Sequence, residues 1–347
     1  MFRPPELSLY TDSRIFRGFS RVVVRHSLAE IFHDFSLCLP DRRKPGQELP
    51  LKMGEFCQLK AGDQLLACGF ADYLSQSLGG EGTTLEIYGR SQAADLSDSM
   101  PEPLEFPEEQ SFRRIAEALL SPFSILLRTD SHADRLKLKQ WKSEEGATAE
   151  ESLRKAAAIG GLLLRGCPDG HLFAGKAPET QKPCGSLVQG KNLISATKSI
   201  DYSGLFAVYS VRAHQETEDG LTPVRGEVRA EHPRKGRSLR LFHDGVATKE
   251  DCEAMAAWER SSRQAEAFQY SVRVPGWCTE GGRLLECGTF VRLDCERIRT
   301  DESLLITEVS FEYSEKEGHT ASLELRPAES LQAKPFFPEK QEDIWWE

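Results

Sequence analysis

The chain has 347 residues, which at roughly 100 to 200 residues per domain predicts two to four domains and excludes a lone small module. Hydrophobic residues make up 39% of it, enough to build real cores, so disorder throughout is excluded. With 44 Lys and Arg against 54 Asp and Glu the net charge is -10, and a chain this acidic repels polyphosphate, which excludes a general nucleic-acid binder.

The nine cysteines are odd in number and no two form a CxxC pair, which argues against a secreted disulfide framework and against structural zinc. Cys38, within Phe35-Ser36-Leu37-Cys38-Leu39, reads as a small buried hydrophobe. The start, Met1-Phe2-Arg3-Pro4-Pro5-Glu6, has no apolar leader core, and no window approaches a membrane span. The expectation is a chain made in a reducing cytoplasm with no membrane insertion.

In chain order, the first 90 residues read as six or seven short strands: Leu7 to Tyr10, Arg14 to Phe19, Arg21 to His26, Asp34 to Leu39, Gly54 to Leu59, Gln64 to Leu74 and Thr83 to Tyr88. Turn residues separate them, as in a small barrel or sandwich. At Ser91 to Pro107 the composition shifts to Asp, Ser, Pro and Glu, which marks a boundary. Phe112, Ile115, Ala116, Leu119 and Leu120 then recur at helical spacing, Pro122 stops that helix, and Phe123 to Leu127 is expected as a strand. A second helix is signed by a capping box, Thr148 with Glu151, by Leu153, Ala156, Ala157 and Ile159 facing inward, and by the Gly160-Gly161 stop. A hairpin with Pro168-Asp169-Gly170 at its tip follows. Strands return from Leu187: Leu193 to Thr197, Leu205 to Ala213, Leu239 to Phe242, Phe268 to Val274, Phe290 to Cys295, Ser303 to Tyr313 and Ser322 to Leu325. One Ala-rich helix, Lys249 to Phe268, interrupts them behind a similar cap, Thr248 with Asp251.

The fold class expected is therefore α+β, mainly β. Four segments are expected: a first barrel-like domain over 1–95, a small α+β insert over 96–185, a second barrel-like domain over 186–330 with a strand-helix excursion over 214–268, and a tail over 331–347. The second barrel-like domain has room to share strands with the first.

The residues offer no catalytic constellation. Gly79-Gly80-Glu81-Gly82 lacks a following Lys-Ser/Thr and opens a strand, so it reads as a hairpin turn and not a phosphate cradle. The eight histidines show no metal-binding spacing. His243-Asp244 stands before Gly245 at an expected strand end, where turn chemistry explains it at least as well as acid-base chemistry does. No catalytic, cofactor-binding or metal-binding residue is assigned, and no cofactor is expected. Two features suit partner contacts. Arg234, Lys235 and Arg237 belong to a basic stretch, 229–240, that reads as a solvated loop between strands or as an inter-subunit contact. Trp345 and Trp346 are costly to leave in water and either dock on a partner or pack back on their own domain.

The order of elements and several residue runs resemble the baseplate hub proteins of Mu-like contractile-tailed phages, a family related to the hub of T-even phages and to the first part of type VI secretion spike proteins. Leu85 to Leu96, through Gly89-Arg90-Ser91, is similar to the family's strand ending in Gly-Arg-Asp before Thr-Ala-Asp-Leu, with Ser91 in place of Asp. Leu153 to Phe173 resembles its helix, Arg-Gly stop and hairpin; Thr248 to Trp277 resembles its Thr-Ala-x-Asp helix leading to Gly-Trp; Thr307 to Tyr313 and Leu323 to Pro327 resemble its last strands. Together the runs cover about residues 7 to 330. Ala133 to Ala147 departs from the pattern.

The resemblance implies a non-enzymatic structural hub in the virion tail baseplate. It implies a homotrimer in which two barrel domains per chain form a ring of six-fold appearance, joining the tail tube to the three-fold spike around a channel for DNA. Implied partners are a second and third copy, the central spike protein, the tail tube or distal tail protein and the baseplate wedge proteins, with DNA only in passage. An acidic wall fits that passage, because it repels phosphate. Two rival readings predict other things: a tail-associated peptidoglycan hydrolase needs a working carboxylate, and a monomeric carbohydrate-binding module would use Trp277, Trp345 and Trp346.

Overall fold

The structure is a computed structural model that describes residues 6–12, 14–43, 51–80, 82–176, 182–217, 220–232 and 234–328, the Asp244 side chain excepted. It is mainly β, and among the described residues the α-helices are confined to two excursions from one large sheet.

Thirteen strands make that sheet, and they come from both ends of the chain. The joint is the antiparallel pairing of Arg21–Ser27 with Thr300–Ser314, from Ser27 opposite Glu308 to Arg21 opposite Ser314. Residues on such strands alternate between faces, so Val22, Val24, Phe35, Leu37, Val309 and Phe311 all point into one core and are fully buried. A bulge between Ile306 and Glu308 resets the alternation within the long C-terminal strand. From the joint the path runs one way to the strand pair Leu7–Thr11 and Ile15–Phe16, and the other way to Ser195–Ile200. These pairings do not close into a barrel among the described residues. Phe290–Cys295 and Gly82–Ser91, the latter containing Leu85 to Arg90, both lie inside the sheet. Gln64–Gly79 runs five residues further than the sequence pattern suggests, because it pairs with Gly82–Ser91 all the way to Gly79 opposite Gly82.

The first excursion has its own core. Helix Phe112–Leu120 buries Phe112, Ile115, Ala116, Leu119 and Leu120, the residues its spacing singles out. Helix Ala149–Ile159 opens on a capping box with both arms formed: Glu151 N–H donates to Thr148 Oγ1 at 3.1 Å, and Thr148 N–H donates to Glu151 Oε2 at 2.8 Å. The two helices cover a three-stranded sheet of Leu127–Thr129, Leu172–Gly175 and Leu163–Gly166. The expected strand from Phe123 is not formed: Pro122 lies in a 3-10 turn, Ser121–Phe123, Ser124 takes a left-handed backbone (φ 55°), and extended structure begins only at Leu127. Ile159 is partly buried and packs against this core, facing inward as its spacing predicts.

The second excursion is a three-stranded sheet covered on one face by helix Lys249–Glu266. Val208–Thr217 is central, flanked by antiparallel Gly220–Arg229 and parallel Ser238–Val246. His243 therefore lies within a strand and not at its end. Gly226 is where the helix touches the sheet, since a Cβ there would sit 2.2 Å from the Glu253 backbone nitrogen and 2.3 Å from the Cys252 carbonyl carbon.

Candidate assembly surfaces

No group of three or more His, Cys, Asp or Glu side chains among the described residues is placed to hold a metal ion. All nine cysteines are free, and burial pushes the Cys57 and Cys287 thiols up to about 12. Among the described residues no helix is long and apolar enough to cross a membrane. The described residues do form a three-way joint and several exposed faces.

The joint forms where the two strand sets meet the insert. Arg90 donates to Asp72 at 2.8 Å and to Asp98 at 2.7 Å, tying the sheet to the first turn of helix after it. Hydrogen bonding to Asp98, and then to Asp72, holds the Arg90 guanidinium charged more firmly than usual. Gly89 must be glycine, because a Cβ would lie 2.3 Å from the Phe35 ring and 2.4 Å from the Phe70 carbonyl oxygen. Ser91 Oγ accepts from the His33 N–H at 3.0 Å, and the Ser91 N–H donates to the His33 carbonyl at 2.7 Å. Gly89-Arg90-Ser91 is thus a structural knot. Ser91 makes a short hydroxyl contact to the backbone where the resembling pattern carries Asp.

Two histidines sit inside the joint, and no spacing or motif around them marks that position. His26 and His33 stack with ring centroids 3.7 Å apart, and both are buried. His26 Nε2–H donates to the Leu66 carbonyl at 2.8 Å, yet burial still pulls its pKa down to about 4. His33 lies well below the usual histidine range, first through burial and then through the neighbouring His26. Neither ring nitrogen of His33 has a hydrogen-bond partner. Both rings are therefore neutral near pH 7.

The basic stretch is not uniform. Arg234 and Lys235 are exposed at a turn closed by the Arg237 N–H donating to the Arg234 carbonyl at 3.2 Å. Arg237 is instead half-buried: its guanidinium lies 4.9 Å from the Phe206 ring centroid and bonds the Ser203 carbonyl, so it packs the base of the second excursion. Trp345 and Trp346 lie outside the described residues. Trp277 is 5% exposed and donates its indole N–H to the Thr320 carbonyl at 2.8 Å and the Glu312 carbonyl at 3.1 Å, which makes it a core anchor and not a sugar platform.

The chain thus combines a sheet built from both of its ends with an inserted α+β unit, and known proteins share that arrangement. Residues 93–176 match the family "Baseplate hub protein gp44-like, second domain". The chain is 23% identical over 340 residues to the baseplate hub protein gp44 of Escherichia phage Mu, covering 94% of this chain and 88% of that protein. Its fold matches the 43 kDa tail protein of prophage MuSo2 from Shewanella oneidensis with a TM-score of 0.82 at 23% identity, over 94% of this chain and 99% of that one. A type VI secretion component of E. coli, described as similar in structure to the T4 tail proteins gp27 and gp5, matches with a TM-score of 0.56 at 10% identity, over 94% of this chain and 79% of that one. The class to which the chain is similar is that of phage tail baseplate hub proteins. Within it, the particular likeness is to the Mu-type hub.

Proposed function

We propose that three copies of this chain close into a ring that joins the six-fold tail tube to the three-fold central spike and leaves a channel through which DNA passes. The observation that carries this reading is the joint between Arg21–Ser27 and Thr300–Ser314, which fuses the strands of both chain ends into one sheet and leaves both excursions outside it. One chain then supplies two strand-rich segments to a wall, and three chains supply six, which reconciles three-fold with six-fold symmetry. The net charge of -10 per chain suits a wall along which phosphate slides. The partners in this reading are the spike protein, the tube or distal tail protein and the baseplate wedges. The chain contributes contact surfaces and no catalysis, and Arg234 and Lys235 are offered as contacts to a neighbouring subunit.

Native mass spectrometry and light scattering test the ring directly. The expected species is a trimer, about 117 kDa from chains of 38.9 kDa. A chain that stays monomeric both at high concentration and in the presence of its purified spike protein would sink the proposal.

A further inference from the structure

The second excursion covers one face of its sheet with helix Lys249–Glu266 and leaves the other face open. Tyr209, Val211, Ala213, Leu239 and Leu241 pack beneath the helix, so the alternate residues face away from it. Across the middle of that open face Arg225, Arg212 and Phe242 stand side by side on three neighbouring strands. Both arginines are exposed, and Phe242 is 60% exposed. The next rows add Arg240 and Arg229, also exposed. Glu227 pairs with both Arg225 and Arg229. Among the described residues neither Arg212 nor Arg240 has a carboxylate within ion-pair distance. Like charges directly opposite on paired strands are destabilising, so this face, in a chain that is acidic overall, calls for an anionic occupant that also covers an aromatic ring.

We propose that the occupant is the chain's own segment 339–347, docked on the face in the same chain. Its sequence, Glu339-Lys340-Gln341-Glu342-Asp343-Ile344-Trp345-Trp346-Glu347, carries four carboxylates against one lysine, with two adjacent tryptophans. Carboxylates pair with Arg212 and Arg240, while indoles cover Phe242 and stack on guanidinium groups. The route is short. Strand Gly318–Arg326 ends with Leu325 opposite Tyr270, four residues after the helix of this excursion finishes at Glu266. The chain thus leaves the large sheet at the foot of the excursion. The 19 residues from Glu329 to Glu347 span up to about 60 Å when extended, and the ten-residue central strand is about 33 Å long.

The test places the photo-crosslinker p-benzoyl-L-phenylalanine at position 242 of the full-length chain. Irradiation is expected to give a product of single-chain mass whose cross-linked peptide contains residues 339–347. The yield should drop at least fivefold in Arg212→Glu/Arg240→Glu and in Glu342→Gln/Asp343→Asn, with unchanged thermal melting by circular dichroism. Cross-links to any other segment, to a second copy, or to an added DNA duplex would overturn the proposal, as would reaction with solvent alone. Full yield in both charge variants would overturn it as well.

Discussion

Two compact helix-on-sheet units hang from the same large sheet, and they are attached in different ways. The insert is locked to it: Arg90 bonds Asp98 at 2.7 Å, Arg154 reaches the Ala29 carbonyl at 2.8 Å, and Ile31, from the loop beside His33, is fully buried in the insert's own core. The strand-helix excursion is held at its foot, where the Asp201 N–H donates to the Ala267 carbonyl at 2.9 Å, and it keeps one face of its sheet exposed and basic. A buried apolar plug ringed by hydrogen bonds fixes geometry, because a misplaced group loses both its packing and its partner. The basic face is fixed by no such joint within its own unit and is left for the segment proposed to dock on it. The first unit is locked in shape, and the second keeps a face for docking.

The sharpest way to break this contrast is Gly226→Ala. The added Cβ meets helix backbone at 2.2 Å, so the helix must lift, and the expected cost is about 3 kcal/mol. Because the excursion has a separate core, hydrogen exchange should accelerate over 208–266 and stay unchanged in the insert. Acceleration spread evenly through the chain would show that the two units are one cooperative block.

The histidine joint predicts a pH effect with the opposite location. His26 titrates at about 4 when folded and near 6.5 when unfolded. The unfolded chain therefore binds more protons between those values, and stability is fully present above pH 6.5 and lost as pH falls towards 4. From pH 6.5 to 5 the expected loss is about 2 kcal/mol, at about 1.4 kcal/mol per pH unit. Urea midpoints across that range, compared with His26→Leu/His33→Phe, measure it. An undiminished pH slope in the double variant would remove the joint as its source.

The smallest effect separates residues within the basic stretch. Arg237→Ala should cost about 1 kcal/mol, through lost stacking on Phe206 and the lost bond to the Ser203 carbonyl. Arg234→Ala and Lys235→Ala should stay within about 0.5 kcal/mol, since both are exposed. Equal melting losses for all three would erase the distinction between a packing arginine and free surface cations.

The chain's own pattern determined what local physics determines. Capping boxes at Thr148 and Thr248 and the apolar spacing of Phe112 to Leu120 mark helices, because those signals act within a turn or two of the backbone. Alternation marks Asp34 to Leu39 and Phe290 to Cys295 as strands. Gly220–Arg229 was not legible: Pro223, Gly226 and three charged residues read as loop. Proline is tolerated there because this is an edge strand, and glycine is required because a helix 27 residues later presses on it. Only tertiary structure decided that both ends of the chain share one sheet, that His26 stacks on His33, and that Arg237 packs while Arg234 does not. Each of these depends on which distant segments remove water from a side chain, and a one-dimensional pattern carries no record of that.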